Sequence, residues 1–267
     1  MMKQQLKYLI PPIVLEIYRK ISLKYGWFGD YPVWEIAKKD SRGYDSVNIV
    51  EKVKSSIMKV KNGEAVYERD SVLFDEIEYS WPILAGLMWV AAAKNNKLTV
   101  LDFGGSLGST YFQNKLFLDD IENVKWCIVE QPLFVEVGKK SLENEILNFY
   151  CSIEDCLNSN TVDVLLLSSV LQYLEDPYSF LTKMVEYGFP YIFFDRTPFG
   201  KNDKNRLTVQ KVPPEIYEAS YPCWFFSKSD FQHTMKQHYE LVSQFSALDE
   251  ANIPSEFLGF LFKRKTQ

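Results

Sequence analysis

Thr99-Val100-Leu101-Asp102-Phe103-Gly104-Gly105-Ser106-Leu107-Gly108-Ser109 runs from a short apolar strand into an acid, then a small-residue turn, then the start of a helix. A strand ending in a Gly-rich turn lets backbone N–H groups approach a nucleotide-like ligand with no Cβ in the way. The spacing departs from the dinucleotide fingerprint G-x-G-x-x-G. Counted from Gly104, Ser106 and Ser109 stand where the second and third glycines belong. The pattern is instead acid-x-Gly-x-x-x-Gly, with Asp102 at the strand end and Gly104 and Gly108 bracketing the turn.

Three more strand ends follow in order. Val124-Lys125-Trp126-Cys127-Ile128-Val129-Glu130 closes on an acid about twenty residues after the turn, where doubly wound folds place the carboxylate for ribose hydroxyls. Phe149 to Ile153 leads into Glu154-Asp155. Val162 to Leu167 opens into Ser168-Ser169-Val170-Leu171-Gln172-Tyr173-Leu174-Glu175-Asp176-Pro177.

Asp102, Gly104 and Gly108 resemble the first motif of S-adenosylmethionine (SAM)-dependent methyltransferases, with Ser106 in place of its middle glycine. The segment after Leu167 resembles the one that ends the fourth strand in small-molecule methyltransferases. Asp102 to Asn114, Val129-Glu130-Gln131-Pro132 and Ser168 to Leu174 are similar to a methyltransferase family encoded among bacterial surface-polysaccharide genes. Asp195-Arg196-Thr197-Pro198-Phe199 and Gly43-Tyr44-Asp45 share that likeness. The resemblance implies SAM as cofactor, with Asp102, Gly104, Gly105, Ser106 and Gly108 around its amino-acid end. It places Glu130 and Gln131 at the ribose, Glu154 or Asp155 at the adenine, and Ser168 and Ser169 beneath the sulfonium. The implied acceptor is small and polar: a hydroxyl of a sugar, a nucleotide-sugar or a glycan-linked group.

A chain of 267 residues with 46% hydrophobic content buries a full core. The net charge of -5 lacks the basic footprint that a nucleic-acid binder needs. Aromatic residues, at 15%, fill cores more often than they line sugar sites. Cys127, Cys151, Cys156 and Cys223 form no CxxC pair, and no metal site is expected. Cys127 and Cys151 read as reduced core residues, which places the protein in the cytoplasm. His233 and His238, the only histidines, fall late in the chain and read as surface residues. No segment has the apolar length of a transmembrane helix. Residues 8–25 spell an amphipathic stretch with Arg19, Lys20 and Lys24 beside its polar face; packing on its own domain is the expectation, and weak contact with the inner membrane face is the alternative. Nothing in the sequence sets the oligomeric state.

The expected architecture is α/β: a Rossmann-like methyltransferase sheet, mostly parallel with an antiparallel final hairpin, beneath an N-terminal helical cap. The cap, 1–95, reads as mostly helical, with Trp34 to Lys39, Asn48 to Lys61 and a helix from Trp81 capped by Ser80. The SAM-binding domain spans 96–267. Its strands fall near 98–103, 124–130, 147–151, 162–167 and 190–195, and its helices near 108–118, 132–143 and 177–187. Residues 151–161 have no clear reading. A lid-like insertion at 197–228 precedes a helix from Lys228 to Gln237 and two closing strands, Tyr239 to Leu248 and Phe257 to Arg264.

Chemistry is expected at Asp195, Arg196 and Tyr173, beyond the fifth and fourth strands. Arg196 suits a carboxylate or phosphate, and Asp195 an orienting or basic role. Gln172 is a further polar candidate, and Tyr79 and Trp81 are candidates to close the site. Two other readings compete. A non-catalytic methyltransferase-like subunit would keep the fold and lose the pocket. A nicotinamide-dependent sugar enzyme would need a Tyr-x-x-x-Lys pair, but Pro177 occupies the Lys position after Tyr173.

Overall fold

The computed structural model describes residues 24–42, 46–214 and 216–266. Gly43-Tyr44-Asp45, and all but the last two residues of the 8–25 stretch, lie outside the described residues. The first half runs β1 (Gly26–Tyr31), α1 (Trp34–Lys39), α2 (Ser46–Lys61), β2 (Tyr67–Arg69), β3 (Val72–Phe74), α3 (Trp81–Ala93), β4 (Lys97–Phe103), α4 (Ser109–Leu118), β5 (Asn123–Val129) and α5 (Pro132–Ser141). It continues as β6 (Leu147–Tyr150), α6 (Ile153–Ser159), β7 (Val164–Ser168), α7 (Pro177–Tyr187), β8 (Tyr191–Gly200), β9 (Arg206–Lys211), β10 (Ser220–Phe225), α8 (Lys228–Lys236), β11 (Tyr239–Ser246) and β12 (Ser255–Arg264).

Seven of the described strands form one sheet in the order β11-β12-β8-β7-β4-β5-β6. Strands β4 to β8 pair in parallel, and β12 runs antiparallel between β8 and β11. This is the expected Rossmann-like sheet with its closing antiparallel hairpin. Side chains alternate along each strand, so Val100 and Leu101 enter different cores. Val100, Trp126, Leu166 and Phe193 pack beneath α2 to α5. Leu101, Cys127, Leu165 and Phe194 pack against α6, α7 and α8. With both faces covered, the central strands are apolar on both sides. Strand order reverses between β4 and β7, which opens a crevice at their carboxyl ends.

The N-terminal part is less helical than expected, because β1, β2 and β3 lie within it. In the β2–β3 hairpin Arg69 faces Val72, leaving a two-residue turn. Its residues, Asp70 and Ser71, have φ of 52° and 69°, the double left-handed turn that matches strand twist. Asp-Ser is a weak signal for a turn that favours Asn-Gly. The 197–228 insertion is strand rather than loop: β8 continues to Gly200, and β9 pairs with both β10 and β1. The Gly200–Asn205 turn is tied down, Asp203 accepting from Ser227 and Ser229. Residues 151–161 hold α6, capped by Ser152 Oγ, which accepts from Asp155 N at 3.0 Å. Ser80 precedes α3 but makes no side-chain cap. Cys127 is buried as expected, whereas Cys151, just past β6, is exposed.

Candidate functional site

A cavity of about 460 Å³ opens over the carboxyl ends of β4, β5 and β7 and the middle of β8, within the size range of small-ligand sites. Its floor is the turn between β4 and α4. Gly104 and Gly108 have φ of 70° and 97°. Ser106 shares the left-handed geometry at φ 55°, at a cost of about 1 kcal/mol, so the turn keeps its shape without the middle glycine. Asp102 is buried beneath this turn, and its Oδ2 accepts from Trp126 Nε1 at 3.0 Å. A Cβ on Gly105 would stand 2.5 Å from the Asp102 carboxyl carbon, so glycine here lets the turn lie on the acid. Burial pushes the Asp102 carboxyl up to about 7, against the pull of the indole N–H.

Glu130 follows β5 and accepts from Gln131 N at 2.6 Å. Burial raises its carboxyl, while the backbone N–H groups of Gln131 and Ser106 pull it back. Ser168 ends β7, and its register partner Asp195 lies in the middle of β8, which runs on to Gly200, so Asp195 and Arg196 sit within that strand and not beyond it. Ser168 Oγ donates to Asp195 Oδ2 at 3.4 Å, and Ser80 Oγ approaches Oδ1 at 3.5 Å. Asp195 is raised, chiefly by burial, with Arg196 opposing. Arg196 Nε donates to Ser168 Oγ at 3.4 Å; its Nη1 lies 3.6 Å from Asp70 and 3.9 Å from Asp249. Ser169 and Arg196 are both left-handed, with φ of 54° and 51°. Gln172, buried behind them, donates to Ser169 Oγ at 3.1 Å and to the Arg196 carbonyl at 3.3 Å. It braces these two strained positions rather than facing ligand.

Tyr173 lines the roof. Its ring meets Tyr221 edge-on at 5.2 Å, and its hydroxyl donates to Gln210 Oε1 at 2.8 Å. Burial holds this phenol well above 10, so it supports the roof and is a poor base. Tyr217 and Tyr221, with hydroxyls 3.1 Å apart, complete that side.

The β2–β3 hairpin supplies a wall that sequence reasoning missed. Glu68 is 1% exposed and accepts from Ser71 N at 3.1 Å and from Ser109 Oγ. Burial pushes it up to about 7. Arg69 pairs with Glu78 at 3.5 Å. The available signal was alternation in Tyr67-Glu68-Arg69 and Val72-Leu73-Phe74 around a polar dipeptide.

Asp102, Gly104, Gly105, Ser106, Glu130, Gln131, Ser168, Ser169, Tyr173, Asp195 and Arg196 all line the cavity. Gly108 does not; it caps α4 and faces Ile128 and Leu147. Glu154 and Asp155 are not brought to it either. Glu154 is drawn to α7, accepting from Lys183 Nζ at 2.8 Å and from Tyr187, contacts that hold it down at about 2. Asp155 sits in the first turn of α6. Tyr79 and Trp81 meet at a tilt, ring centroids 4.8 Å apart, outside the cavity, with Trp81 exposed. His233 and His238 are exposed near α8.

No known protein family matches the chain, nor does any curated protein. Solved structures similar to it include the N-terminal domain of EvdMO1 in the presence of S-adenosylhomocysteine (SAH) and D-fucose. That likeness has a TM-score of 0.49 at 11% identity, over 84% of this chain and 100% of that one. Burkholderia thailandensis 1,6-didemethyltoxoflavin-N1-methyltransferase, with 1,6-didemethyltoxoflavin and SAH, scores 0.43 at 12% identity over 84% and 92%. The N-methyltransferase NodS from Bradyrhizobium japonicum, also with SAH, scores 0.43 at 13% identity over 80% and 99%.

Proposed function

We propose that the protein is a SAM-dependent methyltransferase acting on a small polar acceptor, a sugar or glycan-linked hydroxyl in surface-polysaccharide biosynthesis, in the cytoplasm. The observation that carries the cofactor is the convergence of Asp102, Glu130 and the Gly104–Ser106 turn in one cavity at the switch point of the sheet. The polysaccharide setting is supported by the sequence resemblance alone. The donor set fits SAM: acids outnumber arginines around the cavity, and SAM carries a net positive charge. Glu130 would accept from vicinal ribose hydroxyls, and Asp102 stands beneath the turn that would receive the amino-acid end.

SAM, when bound, supplies an electrophilic methyl group on a sulfonium. The chain then has to hold an acceptor oxygen in line and keep water out. The Asp195 carboxylate, with Oδ2 toward Ser168 and Oδ1 toward Ser80, takes the proton that the hydroxyl releases. Arg196 orients Asp195 and Asp70, and the tyrosine roof shields the cavity.

Isothermal titration with SAM tests the reading. Wild type is expected to bind, and Glu130→Ala to bind about tenfold or more weakly, the loss of charge-assisted hydrogen bonds. No binding by wild type, or unchanged binding by the variant, overturns it. Among the described residues no helix is long and apolar enough to cross a membrane.

A further inference from the structure

We propose that the acceptor is a cation: an amine-bearing sugar or polyol whose ammonium group is held by Glu68, Asp70 and Ser71 of the β2–β3 hairpin. This rests on the methyltransferase reading and narrows its acceptor, turning away from the nucleotide-sugars that the sequence resemblance allowed.

The charge distribution argues for it. Among the described residues, the cations of the lining are Arg69 and Arg196. Arg69 already faces Glu78 at 3.5 Å. Arg196, its side chain 14% exposed, lies between Asp70 and Asp249 with Asp195 beside it. Both guanidiniums already face carboxylates of the chain, and a diphosphate would meet a wall where acids outnumber them. Glu68 has no cation at salt-bridge distance among the described residues; its partners are Ser109 Oγ and Ser71 N. After SAM contributes its single net positive charge, carboxylates around the cavity still exceed cations.

A second, independent feature points the same way. Ser71 lines the cavity, is 6% exposed, and its hydroxyl has no hydrogen-bond partner among the described residues. An unmet buried hydroxyl is costly unless a ligand meets it. An ammonium offers three donors and no acceptor. Ser71 Oγ, Glu68 and Asp70 offer acceptors without a matching donor surplus, and the Asp70 side chain, 59% exposed, remains open to an incoming ligand. Tyr67, Tyr217 and Tyr221 bring aromatic surface to the same cavity, on which a cation is favoured over an anion.

The experiment uses the full chain, with and without SAH, and three probes: glucosamine, N-acetylglucosamine and glucose 1-phosphate. Binding is read by titration and by thermal shift. Glucosamine is expected to bind about tenfold or more tightly than its neutral acetylated form, with glucose 1-phosphate weakest. Ser71→Ala, a change that preserves volume closely, should lower glucosamine affinity several-fold. Glu68→Gln with Asp70→Asn should erase the preference for the amine, with thermal melts as the check that these variants fold. Equal or tighter binding of the acetylated or phosphorylated probe overturns the inference. So does absence of glucosamine binding, or a preference that survives the double variant. The hairpin wall is preformed, so the ranking is expected without SAH as well. Failure of SAH to bind would sink the cofactor reading while leaving the ranking as a separate result.

Discussion

Gly105→Ala should damage this protein through one atom. Gly105 has no left-handed backbone to lose, so alanine costs nothing in φ. The added Cβ would lie 2.5 Å from the Asp102 carboxyl carbon and 2.6 and 2.9 Å from its oxygens. Ordinary contact needs nearly an ångström more, and Asp102 is 1% exposed and held by the Trp126 indole. Either the turn lifts or the carboxyl swings off the Trp126 indole. Overpacking costs about 1–3 kcal/mol, and a weakened hydrogen bond to a charged group costs about 1.5–3 kcal/mol. Because one movement relieves both, a total of roughly 2–4 kcal/mol is expected, a fall in Tm of about 5–12 °C. Lifting the turn also withdraws the Ser106 N–H from Glu130, so SAM affinity should fall about tenfold or more. The assay is a double-mutant cycle with Asp102→Ala, read by thermal melts and SAM titration. In the Asp102→Ala background the new methyl has nothing to strike, and Gly105→Ala should cost less than about 0.5 kcal/mol. Equal penalties in both backgrounds would refute the reasoning.

Four further outcomes are expected. Asp102, lifted from 3.8 to about 7, holds a proton that the unfolded chain releases, so its contribution to stability is full below about pH 4 and is lost as pH rises through about 7. The difference is about 4 kcal/mol, and Asp102→Asn should flatten that part of the melting profile. A bound cation favours the ionised acids, so SAM should bind more tightly at about pH 8 than at about pH 6, with Asp102→Asn reducing the slope. Arg196→Met leaves Asp70, Asp195 and Asp249 facing one another, which should cost about 3–5 kcal/mol near pH 8 and less near pH 5, measured by denaturant melts at both. Ser106→Gly removes left-handed strain while adding chain entropy, so a gain of about 0.5–1 kcal/mol is expected, with SAM binding within about twofold of wild type.

The parallel core was legible because its signals are local. Each strand is a run of apolar residues ending in an acid or a serine, and each helix has its own punctuation: Pro132, Pro177 and Gly188 mark starts and a stop. Strand bounds at Lys97–Phe103 and Asn123–Val129 lie within a residue of those read from sequence. The β4–β5–β7 side of the cavity was legible for the same reason, since Asp102, Glu130 and Ser168 stand at the ends of strands that lie side by side in the sheet. The hairpin side was not. Asp70 meets Arg196 only through a hairpin whose turn residues carry a weak signal, and Asp249 reaches it from the far end of the chain. Glu154 was misjudged because the order of acids along a chain does not say which neighbour holds them; Lys183 and Tyr187 turn it outward. The 197–228 segment reads as loop because its prolines conceal two strands, β9 and β10, that pair with each other and, through β9, with the remote Gly26–Tyr31.

That pairing sets an assembly order. Asn252 clamps Trp27, accepting from its N–H at 2.7 Å and donating to its carbonyl at 3.0 Å, across 225 positions of chain. Contacts so remote in sequence form slowly, since a large loop must close before they return any energy. On an emerging polypeptide, strands β4 to β7 and their helices have local partners well before Asn252 exists. Newly made molecules would thus complete the floor of the cavity first and lock its tyrosine canopy last, so in the interval between the two an immature form has an uncovered crevice.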